Sequence, residues 1–136
     1  MREAVIVSYA RTGLAKSGRG GFNITPPMSM AAHAIKHAVE RAGVDKDYVE
    51  DCYLGNCAHG APNIGRQAAL LAGMPKSTGG VSVNRFCSSG LQTIAMVCSP
   101  EEQKRFTETP AVFFGMPASS AASRPMLREP WAQLPR

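Results

Sequence analysis

Along this chain, short apolar runs alternate with stretches in which apolar side chains recur every three or four residues. The first run, Ala4-Val5-Ile6-Val7-Ser8-Tyr9, is nearly continuous and reads as a strand buried on both faces, as in a parallel sheet. Met30, Ala31, Ala34, Ile35, Ala38, Val39 and Ala42 then repeat with helical period, with Ser29 as the expected N-cap and Gly43 as the stop. Asp51 to Leu54 reads as a second strand, and Asn63 to Ala72 as a second helix ended by Gly73 and Pro75. Gly80 to Asn84 is the third strand expected, and Ser88 to Val97 the third helix, with Leu91, Ile94 and Ala95 at helical spacing. Strands alternating with helices predict an α/β layer of parallel strands joined by crossover helices.

Between the first strand and the first helix, Arg11 to Pro27 forms a long connection carrying Gly13, Gly18, Gly20 and Gly21. A loop of that length in a compact domain is expected to cover a substrate or a partner. The pattern fails after residue 98. Six of the ten prolines (Pro100, Pro110, Pro117, Pro125, Pro130 and Pro135) fall there, as does the only tryptophan, Trp131. Only Thr109 to Met116 leaves room for an element. The run from Ala118 to Pro125 is small, polar and unpatterned, as in a disordered tail. The expected organisation is one domain over 1–98 and an irregular, Pro-rich tail over 99–136.

Charge and composition exclude more than they indicate. The net charge is +5. Residues 1–98 supply +4 of it, from ten Lys or Arg against six Asp or Glu, and the rest +1, from five against four. These charges are scattered, and no basic run alternates with aromatics, so nucleic acid is not an expected partner. No segment approaches the ~20 apolar residues of a membrane span, and the amino terminus opens on a strand instead of a signal sequence. A cytoplasmic protein with four free thiols, Cys52, Cys57, Cys87 and Cys98, is expected.

Most candidate constellations have a simpler explanation. His33 and His37 share a helix face at a spacing that can hold a metal, but no glutamate follows the first histidine. Cys52, Cys57 and His59 lack a fourth ligand and the spacing of a zinc knuckle. Metal is not expected. The segment Gly18-Arg19-Gly20-Gly21 has neither the lysine and serine of a phosphate loop nor the strand context of a dinucleotide fingerprint.

Cys87 is different, because Ser82 to Ala95 places it where a strand meets a helix. Unpaired N–H groups and the positive end of the helix dipole favour a thiolate there and offer donors for an oxyanion. An ordinary cysteine is a small buried hydrophobe, yet Ser88, Ser89 and Gly90 are small enough to leave room around the sulfur. A cysteine hydrolase with a nucleophile elbow would need Gly-x-Cys-x-Gly, and Arg85 stands where the first glycine belongs.

The segment Asn84-Arg85-Phe86-Cys87-Ser88-Ser89-Gly90 resembles the nucleophile motif of the thiolases, the acetyl-CoA acetyltransferases and 3-ketoacyl-CoA thiolases. Arg11-Thr12, Gly20-Gly21-Phe22, Leu54-Gly55-Asn56, the run Asn63 to Ala69 and Ala72-Gly73-Met74-Pro75 follow the order of a thiolase N-terminal half. The resemblance covers roughly residues 1–97 and implies an incomplete N-terminal half of the layered αβαβα fold. It implies an acyltransferase of fatty acid metabolism whose Cys87 forms an acyl-enzyme, with acyl-CoA as substrate and coenzyme A as substrate or product, not a resident cofactor. By the same resemblance, Asn63, Arg66 and Gln67 lie near a subunit interface and help form a homo-oligomer; the alternative is a capped surface helix with Asn63 as N-cap.

Departures from the family follow Val97. Thiolases carry an apolar residue at the position of Glu101, and Pro100 halts the helix here. The family also uses a histidine before a proline and a second cysteine before glycines. None of His33, His37 and His59 precedes a proline, and Cys98 has the wrong context. The abrupt loss of pattern suggests a truncated or frame-shifted gene product, inactive alone, or an inert fragment that dimerises or binds coenzyme A.

Overall fold

The computed structural model describes residues 5–99 and 112–114 of the chain. Its elements in order are α1 (Pro27–Ala42), β1 (Cys52–Gly55), α2 (Ile64–Leu71), β2 (Val81–Val83), α3 (Ser89–Val97) and β3 (Val112–Phe114), with short 3-10 turns at Lys46–Tyr48 and Phe86–Ser88. The strands form a parallel sheet in the order β2-β1-β3. Tyr53 pairs with Val81 on one side and Phe113 on the other. β3 falls inside the Thr109–Met116 stretch, the one part of the C-terminal region with room for an element.

β1 is buried at all four residues, as a central strand with helices on both faces requires. Cys52 and Leu54 join Ala31, Ile35, Ala38 and Val39 of α1 and Ile64, Ala68 and Ala69 of α2 in the core. Alternation along the strand turns Tyr53 and Gly55 to the other face, where Gly55 meets the start of α3. Burying a side chain such as Ile35 or Leu54 contributes about 1.5–3 kcal/mol, and both are 1 % exposed.

α1 begins two residues before the expected Ser29 cap. Pro27 occupies the first helical position, where its fixed φ suits the helix and its missing N–H is no loss. Gly43 ends the helix in a left-handed conformation, φ 65°. α2 starts as expected, with the Asn63 side chain accepting from the Arg66 N–H.

Two expectations are corrected. Residues 5–9 form no strand: Val5, Ile6, Val7 and Tyr9 are 68–83 % exposed. The run is apolar enough, but it pairs with no strand of the β2-β1-β3 sheet, and a strand is stable only through its ladder. The segment is anchored instead at Tyr9, whose carbonyl accepts from Arg41 Nη1 of α1 at 3.0 Å. In α3, the apolar residues Leu91, Ile94 and Ala95 point outward, while Ser89 and Thr93 are buried. Small residues win that face because they let the helix approach β1 closely.

The long connection before α1 is ordered by Asn23. Its Oδ1 accepts from Gly18 N at 2.8 Å and its Nδ2 donates to the Lys16 and Gly20 carbonyls. No helix among the described residues is long and apolar enough to cross a membrane.

Candidate active site

Parallel strands send their following loops to one edge of the sheet, and in α/β folds that carboxyl edge is where ligands bind. Gly55 pairs with Val83, so the loops beginning at Asn56 and Asn84 leave side by side. The Asn56 N–H extends the ladder by donating to the Val83 carbonyl at 2.8 Å. Its side chain closes the first loop on itself, donating to the His59 carbonyl at 2.8 Å and accepting from the His59 N–H at 3.1 Å. The second loop carries Cys87.

Cys87 occupies the 3-10 turn Phe86–Ser88, one residue before Ser88, the N-cap of α3. The thiol is exposed. The turn is built from polar neighbours. Phe86 N donates to Asn84 Oδ1 at 3.1 Å, and Arg85 N donates to Ser89 Oγ at 2.9 Å. Ser89 Oγ in turn donates to the Phe86 carbonyl at 2.7 Å, and Ser88 Oγ to the Arg85 carbonyl at 2.9 Å. Arg85 Nη1 reaches along α3 to Gln92 Oε1 at 2.7 Å.

Small residues after Cys87 therefore do more than leave space around the sulfur. Ser89 is 5 % exposed, and its hydroxyl holds the turn. The start of α3 also packs closely on β1: a Cβ on Gly55 would lie 2.9 Å from the Gly90 nitrogen and 3.0 Å from Ser89 Cβ. Sequence reasoning missed Asn84 and Ser89 as supports for the cysteine; an Asx residue two positions before the turn's first residue was the available signal.

Asn63, Arg66 and Gln67 sit on the first turn of α2. Asn63 Oδ1 accepts from Arg66 N at 3.0 Å and from Ser82 Oγ at 3.2 Å, and Nδ2 donates to the Gly80 carbonyl at 2.8 Å. It is an N-cap that also ties α2 to β2. Arg66 holds the loop between α2 and β2, donating to the Thr78 carbonyl and, at 2.7 Å, to the Lys76 carbonyl. Gln67 is half-buried, and its N–H donates to the Asn63 carbonyl at 3.1 Å.

The remaining cysteines and histidines do not converge. Cys52 is 1 % exposed inside the core; desolvation by burial, aided by the negative charge of Asp51, pushes its pKa from 9.0 up to about 12. Cys57 and Cys98 are exposed. His33 and His37 stack edge to face, ring centroids 4.3 Å apart, and His37 Nδ1 lies 3.5 Å from Glu40 Oε2. No group of three or more His, Cys, Asp or Glu among the described residues is placed to hold a metal ion.

The structure is an α/β layer with an exposed cysteine on a strand-to-helix turn at the carboxyl edge of its sheet. The chain belongs to the thiolase family: residues 4–101 match the thiolase N-terminal domain. It is 39 % identical over 98 residues to 3-ketoacyl-CoA thiolase of Bacillus subtilis (strain 168), covering 70 % of this chain and 25 % of that protein. It is 39 % identical over 100 residues to the mitochondrial acetyl-CoA acetyltransferase of Homo sapiens, covering 71 % and 23 %. Among solved structures it is similar to the Bacillus anthracis acetyl-CoA acetyltransferase, with a TM-score of 0.72 and 31 % identity over 82 % of this chain and 28 % of that one. A thiolase from Ascaris suum in complex with coenzyme A matches with a TM-score of 0.71 and 26 % identity, over 81 % and 28 %. The chain thus spans about a quarter of the length of its relatives.

Proposed function

We propose that this chain carries the nucleophile of a thiolase-type acyltransferase, with Cys87 as the catalytic residue and acyl-CoA as the substrate. The carrying observation is the exposed Cys87 on its turn at the carboxyl edge, within the matched family region. In this reading the Cys87 thiolate attacks the thioester carbonyl of an acyl-CoA. A new C–S bond forms to Cys87, the bond to coenzyme A breaks, and the departing thiolate takes a proton. The acyl group then passes to the deprotonated methyl carbon of acetyl-CoA, and Cys87 leaves as thiolate. Thiolysis of a 3-ketoacyl-CoA is the same sequence reversed. Covalent capture divides one hard carbon–carbon bond step into two easier ones, and backbone N–H groups around Cys87 would bind the tetrahedral oxyanion, a donor of that kind contributing about 3 kcal/mol elsewhere.

Both directions also need a base for the thiol and a second acid–base group for the acetyl carbon. No histidine here precedes a proline as the family's activating histidine does, so the isolated chain is expected not to turn over. A reducing cytoplasm suits the proposal, since it keeps the exposed thiols free. Asn63, Arg66 and Gln67 are proposed to organise a homo-oligomer from the first turn of α2. The outward Leu91 and Ile94 of α3 favour a second reading, an inert module that dimerises or binds coenzyme A without chemistry.

Alkylation with iodoacetamide near neutral pH, read by mass spectrometry, tests the assignment. Cys87 should label ahead of Cys57 and Cys98, with Cys52 protected by burial. Equal labelling of the exposed thiols would remove Cys87 from the role. Condensation of acetyl-CoA or cleavage of acetoacetyl-CoA by the purified chain at a thiolase-like rate would overturn the expectation of inactivity.

A further inference from the structure

Among the described residues, Phe86 is the only non-glycine with a positive φ, at 48°. A bulky L-residue is disfavoured in that region because Cβ crowds the following carbonyl. Nothing is gained from the core in return, since Phe86 is 77 % exposed. Such a conformation persists only where its neighbours over-determine it. Here Asn84 Oδ1 accepts from its N–H at 3.1 Å, and its carbonyl accepts from both the Ser89 N–H and, at 2.7 Å, the Ser89 hydroxyl. The next residue in the chain is Cys87.

We propose that Phe86 is a positioning residue for Cys87: its left-handed backbone, clamped by Asn84 and Ser89, reverses the chain between β2 and α3 so that the thiol emerges at the open sheet edge. This rests on the reading of Cys87 as the nucleophile. β2 ends at Val83, and α3 must begin at Ser89 beneath Gly55. One left-handed residue makes that reversal within a single short turn, leaving Ser89 buried and Cys87 exposed. The backbone of Phe86 carries the role, not its ring.

Two substitutions separate backbone from ring. Asparagine tolerates the left-handed region, whereas a β-branched valine resists it most while remaining apolar. The iodoacetamide labelling rate of Cys87, measured relative to Cys57 in the same molecules, should stay within twofold of wild type in F86N and fall about tenfold in F86V. Far-UV circular dichroism and thermal midpoints establish that the variants compared are folded. Should F86V fail to fold, F86A takes its place, with a smaller fall expected because alanine also disfavours positive φ. A folded F86N that loses the rate, or a folded F86V or F86A that keeps it, overturns the proposal. Wild type labelling Cys87 no faster than Cys57 removes the nucleophile reading and this inference together, whereas a wild-type preference untouched by F86V removes this inference alone.

Discussion

Gly55 at the end of β1 abuts Gly90 in the first turn of α3 so closely that a Cβ on Gly55 would stand 2.9 Å from the Gly90 nitrogen. That approach sets the height of α3 above the sheet and, through Ser89, the position of the turn bearing Cys87. Gly55→Ala must push α3 outward, because the obstructing atoms are backbone and cannot rotate away. A loss of about 1–3 kcal/mol is expected. Gly21→Ala is the control, since nothing lies within 4 Å of a Cβ there. Urea denaturation of the two variants beside wild type measures the difference, and equal midpoints would deny the close approach.

Asn63 joins two segments with one side chain: the first turn of α2 through Arg66 N, and β2 through the Gly80 carbonyl and the Ser82 hydroxyl. Asn63→Ala removes the cap and leaves the Gly80 carbonyl and Ser82 hydroxyl without this partner. A cap alone is worth about 1 kcal/mol, and the stranded polar groups add to it. Asn63→Asp keeps the acceptor for Arg66 N but not the donor to Gly80. The expected order of stability is wild type, then Asn63→Asp, then Asn63→Ala, read from denaturant midpoints. An Asn63→Ala chain as stable as wild type would reduce Asn63 to a surface residue.

The elements from α1 to α3 were legible because their signals are local, although α1 starts before the expected Ser29 cap. Gly43, Gly73 and Asn63 stop or cap helices through their own backbone and side chains, and the β-branched run at Val81 and Val83 marks its strand without reference to the rest of the chain. Val5 to Tyr9 misled for the opposite reason. An apolar run states that a segment can be a strand, but pairing decides, and this run joins no strand of the β2-β1-β3 sheet. β3 carries the converse lesson, since a three-residue strand among prolines has almost no pattern of its own.

The site was half legible. Cys87 stood out through its position between strand and helix, whereas its supports Asn84 and Ser89 did not, since their roles depend on the left-handed turn at Phe86. Periodicity also placed Leu91 and Ile94 on one face of α3 without saying which face the sheet would take. The sheet takes the side bearing the buried Ser89 and Thr93, where Ser89 and Gly90 stand close against Gly55.

That outward face makes its own prediction. Leu91 is 68 % exposed, so Leu91→Lys removes little buried surface and should change stability by no more than about 0.5 kcal/mol. Thr93, with 0 % exposure and its hydroxyl donating to the Gly90 carbonyl at 2.7 Å, should tolerate lysine far less, by about 3 kcal/mol or more, since a buried charge would lack a partner. Leu91→Lys should also lower light scattering in concentrated samples by shrinking the exposed apolar patch. A Leu91→Lys loss as large as that of Thr93→Lys would mean that α3 packs the other way round.

Cys52 predicts how stability depends on pH at the alkaline end. Its thiol is raised to about 12 in the folded chain against an ordinary 9.0, mainly by burial and further by Asp51. Below pH 9 the group is a neutral thiol in both folded and unfolded chains and contributes no pH dependence. As pH rises past 9.0, the unfolded chain releases this proton while the folded chain keeps it, so ionisation draws the equilibrium toward unfolding. The loss accumulates until the pH passes about 12, where the folded thiol ionises as well. Cys52→Ala removes the titrating group; it costs some stability through the lost core atoms, but that cost is the same at every pH. Denaturant midpoints of wild type and Cys52→Ala measured from pH 8 upward should therefore converge as pH rises from 9 toward 12. Parallel curves would mean that water reaches the Cys52 sulfur, and that the core between β1 and α1 is looser than its packing indicates.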